Sequence, residues 1–355
     1  MGSVVPAPSF IERRRPVAVT SPPHCMKILV LRFSSIGDII LTSPVVRCLK
    51  KQLPDAQVHF ATKAAFADLV AHSPYVDKVH LLKDDLRTLI GELQEEKFDL
   101  VVDLHHNLRT ARIKRNLGVP SRSFPKLNVE KWLLVNFKLD RMPRVHIVDR
   151  YLSTVDHLGV RNDGLGLDLF IPPDREADLS ALPAPHRGGF TALAIGGALD
   201  TKRLPLHRMI ELADLLQGPL VIVGGEQDKA DGRAIAHAIG SRVYDATGKY
   251  DLLGSASLLR QAHSIVAHDS GAMHMAAAFQ KNLVCVWGNT VPEFGMGPYL
   301  PAHPERAHSA EVLGLSCRPC SKIGFARCPQ GHFRCMEKHD LHAIVRHAQQ
   351  VDAPV

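Results

Sequence analysis

Short, strongly apolar runs recur along this chain, separated by amphipathic stretches. That alternation limits the fold more than any other feature. The first half carries ILVLRF (28–33), QVHFAT (57–62), KVHLL (78–82) and FDLVVDL (98–104). The second carries FTALAIGG (190–197), PLVIVGG (219–225), SRVYDAT (241–247), SIVAHD (264–269) and LVCVWG (283–288). Helix-like segments fill the gaps, among them PVVRCLKKQL (44–53), LRTLIGELQEE (86–96), LHRMIELADLLQ (206–217) and GAMHMAAAFQ (271–280). Strands apolar on both faces belong in parallel sheets with helices on either side. The pattern starts afresh near residue 190, after a Pro- and acid-rich stretch, IPPDREADLSALPAPHRGG (171–189), that reads as a linker. Two doubly wound α/β domains, 26–170 and 190–337, are therefore expected to face one cleft.

The ends read differently. Residues 1–25 are rich in Pro, Ser and Val and lack the apolar core of a signal peptide, so they read as a disordered leader. No apolar run reaches the roughly 18–20 residues that cross a bilayer. A cytoplasmic location is the expectation.

In open α/β sheets ligands gather beyond the carboxyl ends of the strands. Small or polar residues stand there in this chain: Ser34-Ser35-Ile36-Gly37-Asp38, Gly196-Gly197, Gly224-Gly225, His268-Asp269-Ser270-Gly271 and Gly288-Asn289-Thr290. No GxGxxG follows the first strand, which weighs against a dinucleotide enzyme, and no GxxxxGK[ST] occurs, which removes a P-loop.

Several stretches carry candidate chemistry. HDSGAMHMAAA (268–278) turns a buried strand into an Ala-rich helix at Asp269 and Ser270. Open amides at 270–272 (Ser270, Gly271, Ala272) would hold an anion, although Asp269 and Ser270 also suit a plain N-cap. His274, one turn in, faces either the ligand or the core. In IGGALDTKRLP (195–205), Thr201 and Lys202 beside a helix start suit a phosphate, while a solvated loop lysine is the ordinary alternative. DLHHNLRTARIKR (103–115) brings His105, Asn107, Arg109 and Arg112 to the same sheet edge, with donors for a carboxylate or phosphate. In RFSSIGDIILTSP (32–44), Asp38 begins a helix. As a cap it would hold a depressed pKa and make a poor base; as a base it would have to face the cleft. Local reasoning leaves both readings open.

Charge is uneven. The chain carries +7, whereas residues 105–150 alone hold eleven Lys/Arg against three acids. Such an excess points to an anionic partner or to a solvated basic face. Trp132, Leu133, Leu134, Val135 and Phe137 interrupt it with an amphipathic stretch suited to a membrane interface. No RNP, zinc-finger or helix-turn-helix pattern supports a nucleic-acid partner. Near the C-terminus Cys317, Cys320, Cys328 and Cys335 cluster, with His332 close by. Their spacing resembles a structural zinc site, although the second pair is too widely spaced for the usual form; free thiols packing a loop are the alternative.

Together, MKILVLRFSSIGDIILTSP, VDLHHNLRTARIK, HIVDRYL, the DTKRLP loop and HDSGAMHMAAAFQKNLVCVWGNTVPEFG resemble glycosyltransferase family 9, the ADP-heptose:lipopolysaccharide heptosyltransferases, from about Met26 to the Cys-rich tail. The resemblance implies a GT-B fold of two Rossmann-like domains. A C-terminal helix in 338–355, for which LHAIVRHAQQV (341–351) is suited, would cross back to the first domain. It further implies inverting transfer from ADP-heptose to an inner-core lipopolysaccharide acceptor bearing lipid A, at the inner-membrane surface, with no cofactor required and no catalytic metal. On this resemblance Asp38 is the general base. Lys202, beside Thr201, neutralises the donor phosphates. Asp269, Ser270, Gly271, Ala272 and His274 hold the pyrophosphate and ribose, with Met273 beside the nucleotide. Ser35, Gly37, His105, Asn107, Arg109 and Arg112 lie on the acceptor side. The rivals are another nucleotide sugar or glycan acceptor, and a GT-B-like binding protein that does no chemistry.

Overall fold

The computed structural model describes residues 25–350. Apart from Cys25, the leader expected from the sequence lies outside the described residues.

The strands are β1 Lys27–Leu31, β2 Gln57–Lys63, β3 Lys78–Leu82, β4 Leu100–Asp103, β5 Ser121–Ser123, β6 Thr191–Ala194, β7 Leu220–Val223, β8 Val243–Asp245, β9 Ser264–His268, β10 Asn282–Trp287 and β11 Ala307–Glu311. The helices of the first half are α1 Ile36–Ile40, α2 Ser43–Gln52, α3 Asp68–Ala71, α4 Leu86–Glu95, α5 Leu108–Leu117, α6 Asn128–Phe137 and α7 Ile147–Leu152. Those of the second are α8 Leu206–Leu215, α9 Lys229–Ile239, α10 Leu252–Gln261, α11 Gly271–Ala278, α12 Arg334–Glu337 and α13 Leu341–Ala348.

Two sheets result. One is ordered β3-β2-β1-β4-β5, the other β11-β10-β9-β6-β7-β8. Every pairing is parallel. The strands that read as continuous apolar runs are buried from end to end, as in β1 and β9. In both sheets the order in which the chain adds strands reverses at one point, between β1 and β4 in the first and between β6 and β9 in the second. At such a switch point adjacent loops diverge and leave a crevice. The residues beyond β1, β4, β6 and β9 are those singled out above.

Three elements depart from expectation. The edge strands β5 (SRS) and β11 (AHSAE) are polar, because an edge strand buries only part of its surface. The helix α13 packs on α8 and on β9, β10 and β11. Its apolar stripe, Leu341, Ile344 and Ala348, joins a core with Met209 and Leu212, so it covers the second sheet and does not return to the first domain. The stretch 171–189 forms three short 3-10 turns and is tied to the second half by Arg175 with Asp251 and by Glu176 with Arg260 and Ser257.

Candidate functional site

On the first rim, Arg32 follows β1 and is buried. Its guanidinium donates to the carbonyls of Ser34 and Leu104 and to the Tyr151 hydroxyl, which fixes its plane. Its remaining nitrogen meets Asp38 Oδ1 at 2.6 Å. The other oxygen of Asp38 accepts from the Ser35 amide at 3.1 Å and the Ser35 hydroxyl at 2.8 Å. Burial works to raise the Asp38 pKa, but Arg32 and the Ser35 bonds outweigh it and hold the carboxyl below its ordinary range. Asp38 thus closes the first turn of α1 and keeps its carboxylate 20% exposed on the rim. The two roles left open by the sequence are compatible in this geometry.

Around it, His105 stands edge-on to Phe33 at 6.0 Å. Burial, reinforced by Arg32, pushes its pKa down to about 4, and its buried Nδ1 has no partner. Arg109 lies over the Phe33 ring at 5.4 Å. Arg112, one turn on, is exposed. Asn107 is committed elsewhere: its side-chain oxygen accepts from the Thr110 amide and caps α5. Lys126 and Lys131 complete the rim. Burial, then Arg150 and Lys322, pushes Lys131 down to about 8, and burial, then Arg32, lowers Lys126. Both lysines are near enough to Asp38 to feel its charge.

On the second rim, Lys202 Nζ meets Asp269 Oδ2 at 2.6 Å, and the Thr290 hydroxyl donates to the same oxygen at 2.7 Å. Ser270 precedes α11 without capping it, and its buried hydroxyl has no partner. His274 is buried; burial pushes its pKa down to about 4, so the ring is neutral at neutral pH, with Nδ1 unpartnered. Asn289, at the end of β10, is buried with both amide atoms unpartnered. Buried polar atoms ordinarily find partners, so the four open atoms on these three residues form a prepared set of contacts.

Two of the expected donor residues face elsewhere. The Thr201 hydroxyl donates to the Phe325 carbonyl at 3.0 Å and accepts its amide at 2.7 Å, so it anchors the Cys-rich segment. Met273 is fully buried against Cys285, with the sulfurs 2.9 Å apart. It packs α11 onto β10, one residue and about 100° around the helix from His274.

The rims touch through two glycines. A Cβ on Gly37 would stand 2.4 Å from Cδ2 of His274, and one on Gly271 would stand 2.8 Å from Cγ2 of Ile36. The starts of α1 and α11 approach this closely only because neither carries a side chain there. Gly37→Ala is expected to push the buried His274 ring aside, costing about 1–3 kcal/mol of stability and lowering turnover. Thermal melts with steady-state kinetics check both, and an unchanged melting temperature would remove the contact from the argument.

The four tail cysteines form no disulfide. Burial raises the Cys335 thiol to about 12, helped by its neighbours Cys320, Cys328 and Cys317. Cys317 lies 3.9 Å from His332. Among the described residues, however, the group whose ligand atoms all fall within 4.8 Å of one another is His59, His80 and Glu96, remote from these thiols.

Two doubly wound halves facing one cleft, with open anion contacts on one rim and a positioned carboxylate on the other, define a GT-B glycosyltransferase. Residues 86–323 match the model of glycosyltransferase family 9 (heptosyltransferase), and the chain belongs to that family. It is 26% identical over 317 residues to lipopolysaccharide heptosyltransferase 2 of Salmonella typhimurium, covering 82% of this chain and 88% of that one. Its fold is that of the family 9 glycosyltransferase from Veillonella parvula, with a TM-score of 0.74 and 22% identity over 92% of this chain and 97% of that one. It is also that of the Escherichia coli ADP-heptose heptosyltransferase II, with a TM-score of 0.67 and 19% identity over 91% and 97%.

Proposed function

We propose that this glycosyltransferase moves a heptose from ADP-heptose to an inner-core lipopolysaccharide acceptor, with inversion, and meets that lipid-borne acceptor at the membrane surface. The observation that carries the reading is the set of unpartnered buried atoms on Ser270, His274 and Asn289 beside Lys202. Asp38 lies on the opposing rim, where α1 meets α11.

In this reading Lys202 and the first amides of α11 take the donor diphosphate. Thr290 and Asp269 aim the lysine. As the bond from the anomeric carbon to the phosphate oxygen breaks, the negative charge passes to ADP, and those donors stabilise it. An acceptor hydroxyl attacks from the opposite face, and its proton goes to Asp38. Lys126, Lys131, Arg109 and Arg112 hold acceptor anions. The segment carrying the four cysteines is structural, since it fixes the Thr201 turn. Structural zinc there is a proposal that metal analysis of the purified protein tests.

Purified protein given ADP-heptose and a deep-core acceptor should produce an acceptor heavier by one heptosyl unit, with the anomeric configuration inverted. Transfer from a different nucleotide sugar, with none from ADP-heptose, would overturn the donor assignment. No transfer from any donor would overturn the reaction itself.

A further inference from the structure

The helix α6 has two faces of opposite character. Its inner face places Leu134, with Leu127 and Val135, against Met142, Val291 and Phe294. Its outer face and C-terminal end leave Val129, Trp132, Phe137 and Leu139 in solvent. Trp132 is 55% exposed and Phe137 65%, and their rings meet edge-to-face at 5.1 Å. Two large aromatic rings held against one another in water form a fixed apolar projection, not a pair of scattered surface residues.

The patch continues onto the Cys-rich segment. Lys138, at the end of α6, donates to the Pro319 carbonyl at 2.7 Å as well as to its own Val135 carbonyl. That tie brings the segment alongside α6, and Lys322 comes near enough to depress the Lys131 pKa. The next residues, Ile323 and Phe325, are again exposed apolar side chains. Exposed cations are interleaved with these apolar groups: Lys138, Arg141, Lys322 and Arg327. Of the three acids among residues 105–150, Asp140 is already paired, with Arg144.

We infer that this surface, formed by the outer face of α6 and the 322–327 loop, docks on an anionic phospholipid leaflet. Charge complementarity selects the occupant. A neutral protein partner has no use for the cations, and a soluble polyanion has none for the Trp132–Phe137 pair. A lipid interface uses both, with aromatic rings at headgroup depth and Lys/Arg against anionic phosphates. Among the described residues no helix is long and apolar enough to cross a membrane, so such docking would be peripheral. The packing also orients the cleft. Through Leu134, α6 packs on Val291, the neighbour in sequence of the Thr290 that donates to Asp269 on the second rim. A membrane-held acceptor would thus present its sugar to Asp38 without leaving the leaflet. The orientation rests on the proposed acceptor; the docking does not.

The test needs no sugar. The chain has two tryptophans, and Trp287 is 1% exposed, so lipid-dependent changes in emission report Trp132. The full chain is mixed with vesicles of phosphatidylcholine alone, or of phosphatidylcholine with phosphatidylglycerol. Expected with the anionic vesicles are co-sedimentation, a blue shift and quenching by brominated lipid, all weakened by high salt. Trp132→Ser with Phe137→Ser should reduce the partition by at least about 10-fold. The same variant should keep its circular dichroism and its transfer to a short soluble acceptor. Absence of anionic-vesicle binding overturns the inference, as does binding unchanged in the double variant. A solution dimer that shields Trp132 from acrylamide would assign the patch to a second copy. Shielding relieved by removing residues 1–24 would assign it to this chain's own N-terminal segment. Either result also overturns it. Because the vesicles carry no acceptor, failure here leaves the transfer reaction standing, and failure of transfer leaves this result standing.

Discussion

Asp38→Asn should leave a folded chain whose turnover is lower by about 10²–10⁴-fold, the range that a positioned general base contributes. Asparagine keeps the side-chain shape and an oxygen for the Ser35 amide, but it takes no proton. Arg32 loses its ionic partner while keeping the Ser34 and Leu104 carbonyls and the Tyr151 hydroxyl. That loss should cost about 1–3 kcal/mol, seen as a melting point several degrees lower. A depressed pKa makes Asp38 a weak base at rest. The proton therefore moves late, once the acceptor oxygen is bonding to the anomeric carbon and has become acidic. For stability, a depressed folded-state pKa means the Asp38 contribution is complete above the ordinary carboxylate value. It is lost as pH falls from there through the folded-state value. Wild type should lose stability across that acid window, whereas the variant should lack this component. Turnover unchanged in Asp38→Asn would reduce Asp38 to a helix cap.

Much of this arrangement is legible in the sequence, for a physical reason. Strands buried on both faces must be apolar throughout, so β1, β4, β6 and β9 stand out, and topology then delivers the residues after them to one crevice. What stays hidden depends on rotation and on distance along the chain. Met273 and His274 are neighbours in sequence, yet one turns to Cys285 and the other to Gly37. Thr201 and Lys202 are likewise adjacent, and they serve the Cys-rich segment and Asp269 respectively. Arg32 reads as the polar end of an apolar run, and only the fold reveals its contact with Asp38. Asn289 was visible as a polar residue at a strand end; its lack of partners was not. Lys138 reaches the Pro319 carbonyl across nearly two hundred residues, a contact that no local pattern encodes.

Lys202→Ala carries the second large effect, and its logic is electrostatic. Asp269 is only 11% exposed, and its carboxylate is balanced by Lys202 and by the Thr290 hydroxyl. Removing the lysine deletes a donor to the diphosphate. It also leaves a carboxylate facing the site that must accept two phosphates. The efficiency with the nucleotide sugar should fall by about 10²–10³-fold, as for loss of one preorganised charge donor. ADP should bind more weakly in parallel, because the diphosphate is present in both ligands. Two sources of the loss can be separated. If repulsion from Asp269 contributes, Lys202→Ala combined with Asp269→Asn should bind ADP more tightly than Lys202→Ala alone. Two residues that act independently would instead give losses that multiply. Calorimetric titration of ADP into wild type, both single variants and the double variant decides between these. Multiplied losses would mean that Asp269 helps bind the nucleotide in its own right, and the account of it as the aiming partner of Lys202 would fail.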